Sequence, residues 1–359
     1  MASNIVTIIS SFVIAVIVAI TVQIFYFSPI DPLPLEIPPS SSARHNQLKN
    51  IIKLGEGVLK DPEDVCFDKE GTLYAATRDG WIKRLPRNNG DWENWKHIDS
   101  NTLLGITPSK DGGLIVCDAT KGLFKVTEDD GFTVLVSSQG NGSQINFADD
   151  VIEASDGSIY FSDASKKYGL HHVHLDLLEA RPHGQLLKYN PTSNDVDIVL
   201  DKLYFANGVA LSKDEDYLLV SETWKSRVLR HWLKGANKGK TDIFVENLPG
   251  GPDNINLAPD GSFWIALVSL TNNGLEFMHK YTVIKHLLGS FPRLYGLTSG
   301  ETKKATVVNV ATDGNITRIF GDNDGRVINF VTSAFEFEDH LYLGSLNSNF
   351  VGKLPLHSA

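Results

Sequence analysis

The sequence predicts an all-β fold, a six-bladed β-propeller with helical insertions over one face, preceded by an N-terminal transmembrane helix. Three features predict it. A turn followed by a short apolar strand recurs six times, two segments interrupt this rhythm, one of them with near-helical spacing, and a long apolar run opens the chain. The chain has 359 residues, enough for one large all-β domain. We expect a signal-anchor at residues 1–27, a linker at 28–46 and the propeller at 47–359.

The repeat is a turn rich in Asp, Glu and Gly, followed at once by a short apolar strand. The strand copies begin at Leu73, Leu114, Ile159, Leu218, Phe263 and Leu341. Turn and strand at a period of about 40–50 residues are typical of propeller blades, each a four-stranded sheet. Longer intervals indicate insertions. We expect residues 49–58, ahead of the first blade, to supply the outer strand of the last blade and so close the ring.

The apolar run from Ile5 to Phe27 is long enough, at about 1.5 Å per residue, to cross a bilayer. An uncleaved signal-anchor is favoured over a cleaved signal peptide, whose apolar region is usually shorter. Either alternative places the rest of the chain in the secretory lumen. Residues 28–46 are rich in Pro and Ser, which favours an extended linker that does not pack. Asn141 and Asn315 begin glycosylation sequons.

Composition limits the partners. The formal net charge is −10 and no basic stripe is present, which argues against a nucleic-acid partner. A hydrophobic content of 42% allows a large core. The two cysteines, Cys66 and Cys117, lie inside apolar runs, so we expect small buried residues rather than a disulfide scaffold.

Two insertions break the strand rhythm, at residues 166–184 and 273–291. The second has apolar residues at near-helical spacing, and both are expected to lie across one face of the propeller. The first contains His171, His172, His174 and His183. Zinc is disfavoured because no carboxylate follows at a familiar spacing. A structural or pocket-lining role is expected, with His171 and His172 as lining residues.

Four turns of similar type place Asp, Glu or Asn just before a β-like run. The side chains concerned are Glu63, Asp149, Asn207, Asp253 and Asn254. Oxygen donors on stiff turns suit a hard cation such as Ca²⁺, and one turn alone supplies too few ligands. We therefore hypothesise that these turns converge on one ion. The alternative is ordinary capping of turns and strand starts, which Asp and Asn commonly provide.

Several phrases together resemble one family. Residues 62–68, 205–212, 221–233, 251–255 and 341–345, in this order, resemble the strictosidine synthase-like proteins of plants, which have an animal relative in the adipocyte plasma membrane-associated protein. The resemblance implies a six-bladed propeller. The wider paraoxonase and regucalcin superfamily holds Ca²⁺ at the ring centre, which implies Glu63, Asn207, Asp253 and Asn254 as ligands. Asp149 stands where those enzymes usually have Asn.

The departures from the family pattern concern catalysis. The resemblance places Thr332 where strictosidine synthase has its glutamate base, and a hydroxyl cannot replace that base near neutral pH. Leu104 stands where paraoxonase has its histidine. Leu104 and Thr332 are then expected to line a substrate pocket.

We expect a membrane-anchored lumenal protein of the endoplasmic reticulum or vacuole, acting as a Ca²⁺-assisted hydrolase of small esters or lactones, with Asp149 or Asp253 as base or nucleophile. Two alternatives remain open. The chain could be a condensing or cyclising lyase of plant specialised metabolism, or a non-catalytic lumenal binding protein.

Overall fold

The computed structural model describes residues 2–38, 45–88, 90–129, 131–137, 145–270, 276–298 and 304–356. Helix α1 (Ala2–Tyr26) opens the chain. Its residues Asn4–Tyr26 have a mean hydropathy of 2.9, and the most apolar part of this span is not buried against the rest of the protein. Within the described chain, α1 is the one helix that is long and apolar enough to cross a membrane. The sequence prediction of an apolar helix of membrane-spanning length is confirmed.

Six four-stranded antiparallel sheets follow. A short 3-10 helix, Gln47–Asn50, precedes strand β1 (Ile52–Leu54). The first three blades contain β2 (Pro62–Phe67), β3 (Leu73–Thr77), β4 (Trp81–Leu85), β5 (Glu93–His97); β6 (Leu103–Pro108), β7 (Leu114–Asp118), β8 (Gly122–Thr127), β9 (Gly131–Ser137); β10 (Ala148–Glu153), β11 (Ile159–Asp163), β12 (Gly184–Asn190) and β13 (Asp195–Leu203). The last three contain β14 (Ala206–Leu211), β15 (Tyr217–Glu222), β16 (Arg227–Trp232), β17 (Thr241–Val245); β18 (Gly251–Leu257), β19 (Phe263–Val268), β20 (Ala305–Val310), β21 (Ile316–Asp322); β22 (Val331–Phe337), β23 (His340–Ser345) and β24 (Val351–Pro355).

The six-bladed propeller is confirmed, and the repeat seen in the sequence is the second strand of each blade. Strand β1 pairs antiparallel with β24, with Lys53 opposite Gly352, so both ends of the propeller complete the sixth blade. The expectation for residues 49–58 is therefore confirmed. Apolar side chains fill the space between neighbouring blades. Trp264 of the fifth blade, for example, is buried in one cluster with Leu341 of the sixth.

Each innermost strand is irregular at the same place. The pairing register of β2, β6, β10, β14, β18 and β22 with its neighbour shifts near the strand start. A bulge of this kind adds a residue to one strand and re-aims its side chains. Because the six starts meet around the axis, the bulges determine which side chains reach the centre.

Helices cover the end of the ring where the innermost strands begin. They are α2 (Val173–Glu179), α3 (Glu276–Lys280), α4 (Thr282–Ser290) and α5 (Pro292–Thr298), and they lie in the connections between second and third strands of the third and fifth blades. We call these helices the cover. Asp176 of α2 accepts hydrogen bonds from Trp224 Nε1 (2.7 Å) and Ser165 Oγ (2.5 Å), which fixes α2 to the propeller. The predicted placement of the insertions over one face agrees with this arrangement.

Residues 28–38, which we call the strap, run from α1 across the cover. The strap has no helix or strand, yet Ile30 and Leu35 are buried. Its backbone is held by Leu33 N–H to Glu179 O and Leu35 N–H to His279 O, each 2.9 Å. The expectation of a linker that does not pack is wrong for these residues, because two apolar side chains in a Pro-rich segment find matching pockets.

The closing strand can be tested by proline substitution. Of two successive strand residues only one directs its N–H toward the partner strand, so the double variant Ile52→Pro/Lys53→Pro must remove a β1–β24 hydrogen bond. We expect it to lose on the order of 1–3 kcal/mol of unfolding free energy, because a carbonyl of the partner loses its donor. Denaturant unfolding measures this. The matched control, Ile52→Ala/Lys53→Ala, keeps both N–H groups, and equal losses in the two variants would contradict a closing role.

Candidate metal centre

All five predicted ligand residues lie at the starts of innermost strands and are buried. Glu63 is in the first blade, Asp149 in the third, Asn207 in the fourth, and Asp253 with Asn254 in the fifth. Their exposed fractions lie between 1% and 6%. The positions around the bulges aim these side chains inward, so carboxylates and amides from four blades share one region of the axis.

Direct contacts join these blades. Asn254 Nδ2 donates to Glu63 Oε1 at 3.0 Å, which links the fifth blade to the first. Asn207 hydrogen-bonds the carboxylate of Asp253, which links the fourth to the fifth. Asp149 lies near enough to Asp253 for repulsion between the two carboxylates to raise its pKa. The structure therefore brings the predicted residues together.

Three buried oxygens of this group lack a hydrogen-bond partner among the described residues: Glu63 Oε2, Asn207 Oδ1 and Asn254 Oδ1. Leaving one buried polar atom unsatisfied costs about 1–3 kcal/mol, so three together are unfavourable. All are oxygen acceptors, as Ca²⁺ prefers, and six to eight such ligands are usual for that ion. The residues fit a hard cation, with Glu63, Asn207, Asn254, Asp149 and Asp253 as its side-chain donors.

Carboxylates alone do not form a cage. Within the described chain no three His, Cys, Asp or Glu side chains come together closely enough to hold a metal. A cation at the axis would therefore depend on the amide oxygens of Asn207 and Asn254 as well as on the carboxylates.

Burial raises the pKa of each axial carboxyl group. The pKa of Glu63 and that of Asp149 lie well above their ordinary values, because burial and then repulsion from Asp253 disfavour the charged forms. Burial raises the pKa of Asp253 to about 8, against the hydrogen bond from Asn207. Arg78, which follows β3, attracts Asp149 and offsets part of its shift.

Two carboxylates that the sequence reasoning missed connect the blades. Asp64 accepts N–H bonds from Val65 and, across the blade boundary, from Ile106 at 2.9 Å. Asp150 does the same for Val151 and for Val209 at 2.7 Å. Each follows a predicted ligand directly. The signal in the sequence was an acid pair, Glu63-Asp64 or Asp149-Asp150, whose second member is structural.

Close approach of the backbones requires glycine at the axis. A Cβ on Gly208 would lie 2.4 Å from the carbonyl oxygen of Asp253, and one on Gly105 would lie 2.6 Å from Asp150 Oδ1. Any larger residue would push neighbouring blades apart. These two glycines therefore set the distance between the blades that carry the acids.

The predicted pocket residues divide into two groups. Leu104 is buried at the bulge of β6, and Thr332 is buried in β22, where its hydroxyl donates to Glu63 O at 2.6 Å. That hydroxyl therefore helps to hold the start of strand β2, which carries Glu63. His171 and His172 are exposed on the cover, so the structure places them away from the buried residues around Leu104.

A cleft opens at the other end of the axis, where the innermost strands finish. It has a volume of about 340 Å³ and reaches Asp64 and Asp150 from below. Its lining combines these acids with apolar side chains such as Cys66, Ile106 and Phe335. The cleft therefore ends at the two acids that connect the blades, and the predicted ligand residues do not line it.

Two cysteines and two asparagines complete the set of residues for which the sequence makes a prediction. Cys66 and Cys117 are free, buried thiols, as predicted. Asn315 is exposed in the turn before β21, so it is accessible, and its glycosylation stays a prediction. Asn141 lies outside the described residues.

The fold and the axial residues place the chain among six-bladed propellers that bury polar side chains from several blades on the ring axis. The profile described as "Strictosidine synthase" matches residues 149–236, and "Strictosidine synthase-like, N-terminal" matches residues 43–85. Protein STRICTOSIDINE SYNTHASE-LIKE 4 of Arabidopsis thaliana is 32% identical over 336 residues, covering 91% of this chain and 88% of that protein. The chain belongs to the strictosidine synthase-like family.

An animal relative and two solved structures extend the comparison. The adipocyte plasma membrane-associated protein of Mus musculus is 33% identical over 356 residues, covering 92% of this chain and 85% of that protein. A gluconolactonase of Xanthomonas campestris has a TM-score of 0.59 at 17% identity, covering 91% and 96% of the two chains. A calcium-binding regucalcin of Agrobacterium tumefaciens has a TM-score of 0.54 at 14% identity, covering 89% and 95%. At these identities the structures share the fold.

The raised pKa of Asp253 predicts how pH changes the stability of the metal-free protein. A carboxyl whose folded pKa is about 8 contributes most below its unfolded value near 3.8, and that contribution is lost as pH rises through 8. The slope is about 1.4 kcal/mol per pH unit for each proton bound on folding. We expect the melting temperature of the protein in chelator to decrease between pH 5 and pH 8.5. In Ca²⁺ we expect this decrease to be smaller. Parallel curves with and without Ca²⁺ would argue against an axial cation.

Removing one ligand should remove the effect of Ca²⁺ on melting. At a Ca²⁺ concentration 100 times its dissociation constant, binding stabilises the wild type by about 2.7 kcal/mol. We expect the full chain with Asp253→Ala to lack this increment and to melt below the wild type when Ca²⁺ is present. The control Glu246→Ala removes an exposed carboxylate from the same blade boundary. If Asp253→Ala keeps the full Ca²⁺ increment, Asp253 is not a ligand.

Proposed function

We propose that this protein is a membrane-anchored, Ca²⁺-assisted hydrolase that acts on small esters or lactones. The observation that carries the proposal is the set of buried, unsatisfied oxygens on Glu63, Asn207 and Asn254 beside two carboxylates of raised pKa. The gluconolactonase and regucalcin structures share the fold, and one of them is described as calcium-binding. Fold similarity alone does not transfer an activity, so the proposal depends on the site.

Ca²⁺ at the axis would supply a Lewis acid for a carbonyl oxygen. Glu63, Asn207 and Asn254 would hold it, with Asp253 fixed in orientation by Asn207. Asp149 differs from Asp253, because no side-chain hydrogen bond to its carboxylate is present within the described residues. Its free carboxylate, buried and of raised pKa, is suited to take a proton from water or to act as nucleophile.

We further propose that α1 is an uncleaved signal-anchor and that the propeller lies in the secretory lumen, in the endoplasmic reticulum or vacuole. Helix α1 packs on α4, and Phe25 lies with its ring centre 5.9 Å from that of His286. The covered end of the propeller then faces the bilayer. The family includes proteins named for membrane association, which supports anchoring.

A second candidate function is binding without turnover. Thr332 and Leu104 stand at positions where related enzymes carry their base, and the hydroxyl of Thr332 is engaged with Glu63 O. A propeller of this kind could retain the ion and lose the chemistry.

The two functions differ in one assay. We expect the full chain in lipid nanodiscs to hydrolyse phenyl acetate, with activity abolished by chelator and restored by Ca²⁺. Asp149→Asn keeps an oxygen ligand and loses the base, so turnover should fall by about 10²-fold or more while Ca²⁺ still raises the melting temperature.

The control Glu246→Gln should match the wild type in both measurements. Unchanged turnover in Asp149→Asn would remove Asp149 from the chemistry. Ca²⁺-dependent melting without turnover of aryl esters or lactones would favour the binding protein.

A further inference from the structure

The strap places one apolar side chain in the interior of the covered end. Leu35 is 1% exposed and belongs to an apolar cluster with Leu104, Phe147, Phe205 and Trp224. Phe147 and Phe205 each stand two residues before a predicted ligand, Asp149 or Asn207. We call these four cluster residues the Leu35 pocket. The pocket therefore forms the layer between the cover and the axial carboxylates.

A buried cation holds the strap backbone. Lys285 of α4 has 0% exposure, and its Nζ donates to the carbonyl oxygen of Leu33 at 2.6 Å. No carboxylate pairs with Lys285 in the described part of the chain, and burial, together with Lys225, lowers its pKa to about 8. An ammonium group has three donors, so its single described bond leaves capacity unused.

A second buried polar group nearby, on His279, lacks a hydrogen-bond partner within the described part of the chain. His279 is 5% exposed, and its Nδ1 makes no hydrogen bond among the described residues, while its backbone oxygen accepts from Leu35 N–H. Burial lowers the pKa of His279 to about 4, so the ring is neutral at physiological pH. Buried polar atoms without partners, beside an apolar pocket, are typical of a site built for a ligand.

The strap therefore presents a carbonyl oxygen to Lys285 and a branched aliphatic side chain to the apolar pocket, two residues apart. An aliphatic carboxylate offers the same two elements, with a formal negative charge in place of the amide carbonyl. A carboxylate bound to a buried ammonium is favoured over a neutral oxygen, because charge-assisted hydrogen bonds are stronger.

We propose that the Leu35 pocket and Lys285 form a binding site for an aliphatic carboxylate, and that the strap occupies this site until such a ligand displaces it. If the proposed hydrolase function holds, on which this part of the inference rests, the site would bind the acid portion of its ester or lactone substrates. Binding of the carboxylate itself requires neither turnover nor Ca²⁺. Since the strap continues directly from α1, the site lies beside the membrane helix, where aliphatic compounds concentrate.

Octanoate is the probe that tests the site. Binding to the full chain in nanodiscs is measured by calorimetry in chelator, with empty nanodiscs as the blank. Leu35→Ala removes the resident side chain but retains the strap, and we expect it to bind octanoate at least about 10-fold more tightly than the wild type, since the ligand no longer displaces a buried leucine. Leu294→Ala is the matched control, because it removes an exposed leucine of α5 that has no role in the proposed site, and it should leave affinity unchanged.

The charge is tested separately. Lys285→Met keeps length and apolar character, and in the Leu35→Ala background it should weaken octanoate binding by at least about 10-fold. Octylamine should bind neither the wild type nor Leu35→Ala, because the positive charge of octylamine is repelled by Lys285. Thermal melting checks that each variant is folded.

Equal affinity of Leu35→Ala and wild type, or an unchanged affinity in Lys285→Met, would overturn the proposal. Octanoate binding without any ester turnover would overturn the proposed hydrolase and leave this site standing. Ca²⁺-dependent turnover of phenyl acetate without octanoate binding would do the reverse.

Discussion

Negative charge removed from water at the ring axis is the constraint on which this structure depends. A buried carboxylate is costly unless hydrogen bonds or a cation compensate it. Asp64 and Asp150 are compensated by backbone N–H groups of their own and the next blade, so they act as connections. Glu63 Oε2, in contrast, has no hydrogen-bond donor among the residues that the structure describes. The difference in compensation separates the acids that hold the ring together from those available to an ion.

Ring closure and axial geometry support each other. Strand β1 completes the sixth blade, which fixes the first blade, and hence Glu63, against β22 and its Thr332. Gly105 and Gly208 allow the blades to approach. A site assembled from four blades therefore inherits its precision from contacts spread over the whole ring, although each ligand is carried by a short strand start.

The sequence predicted what depends on period and residue type. The turns before Leu73 and Phe263 belong to a repeat, and this repeat predicted the blades whose second strands begin there. The ligand turns converge because equivalent positions of the blades meet at the axis. The direction of Asp64 could not be predicted, since a bulge next to Glu63 overrides simple alternation. Burial of Leu35 was missed because composition describes the average of a segment and not one side chain's pocket.

The strap fixes the helix α1 to the cover of the propeller. A Pro-rich linker would leave the propeller free to move relative to the membrane, whereas here the residues after α1 are hydrogen-bonded to Glu179, His279 and Lys285 of the cover. The same eleven-residue segment both orients the covered end and fills the pocket above the axial acids. With α1 anchored in a bilayer, as proposed above, access from that end and the position of the propeller relative to the bilayer would be coupled, because Leu35 lies in the same short segment as the backbone contacts that fix the strap.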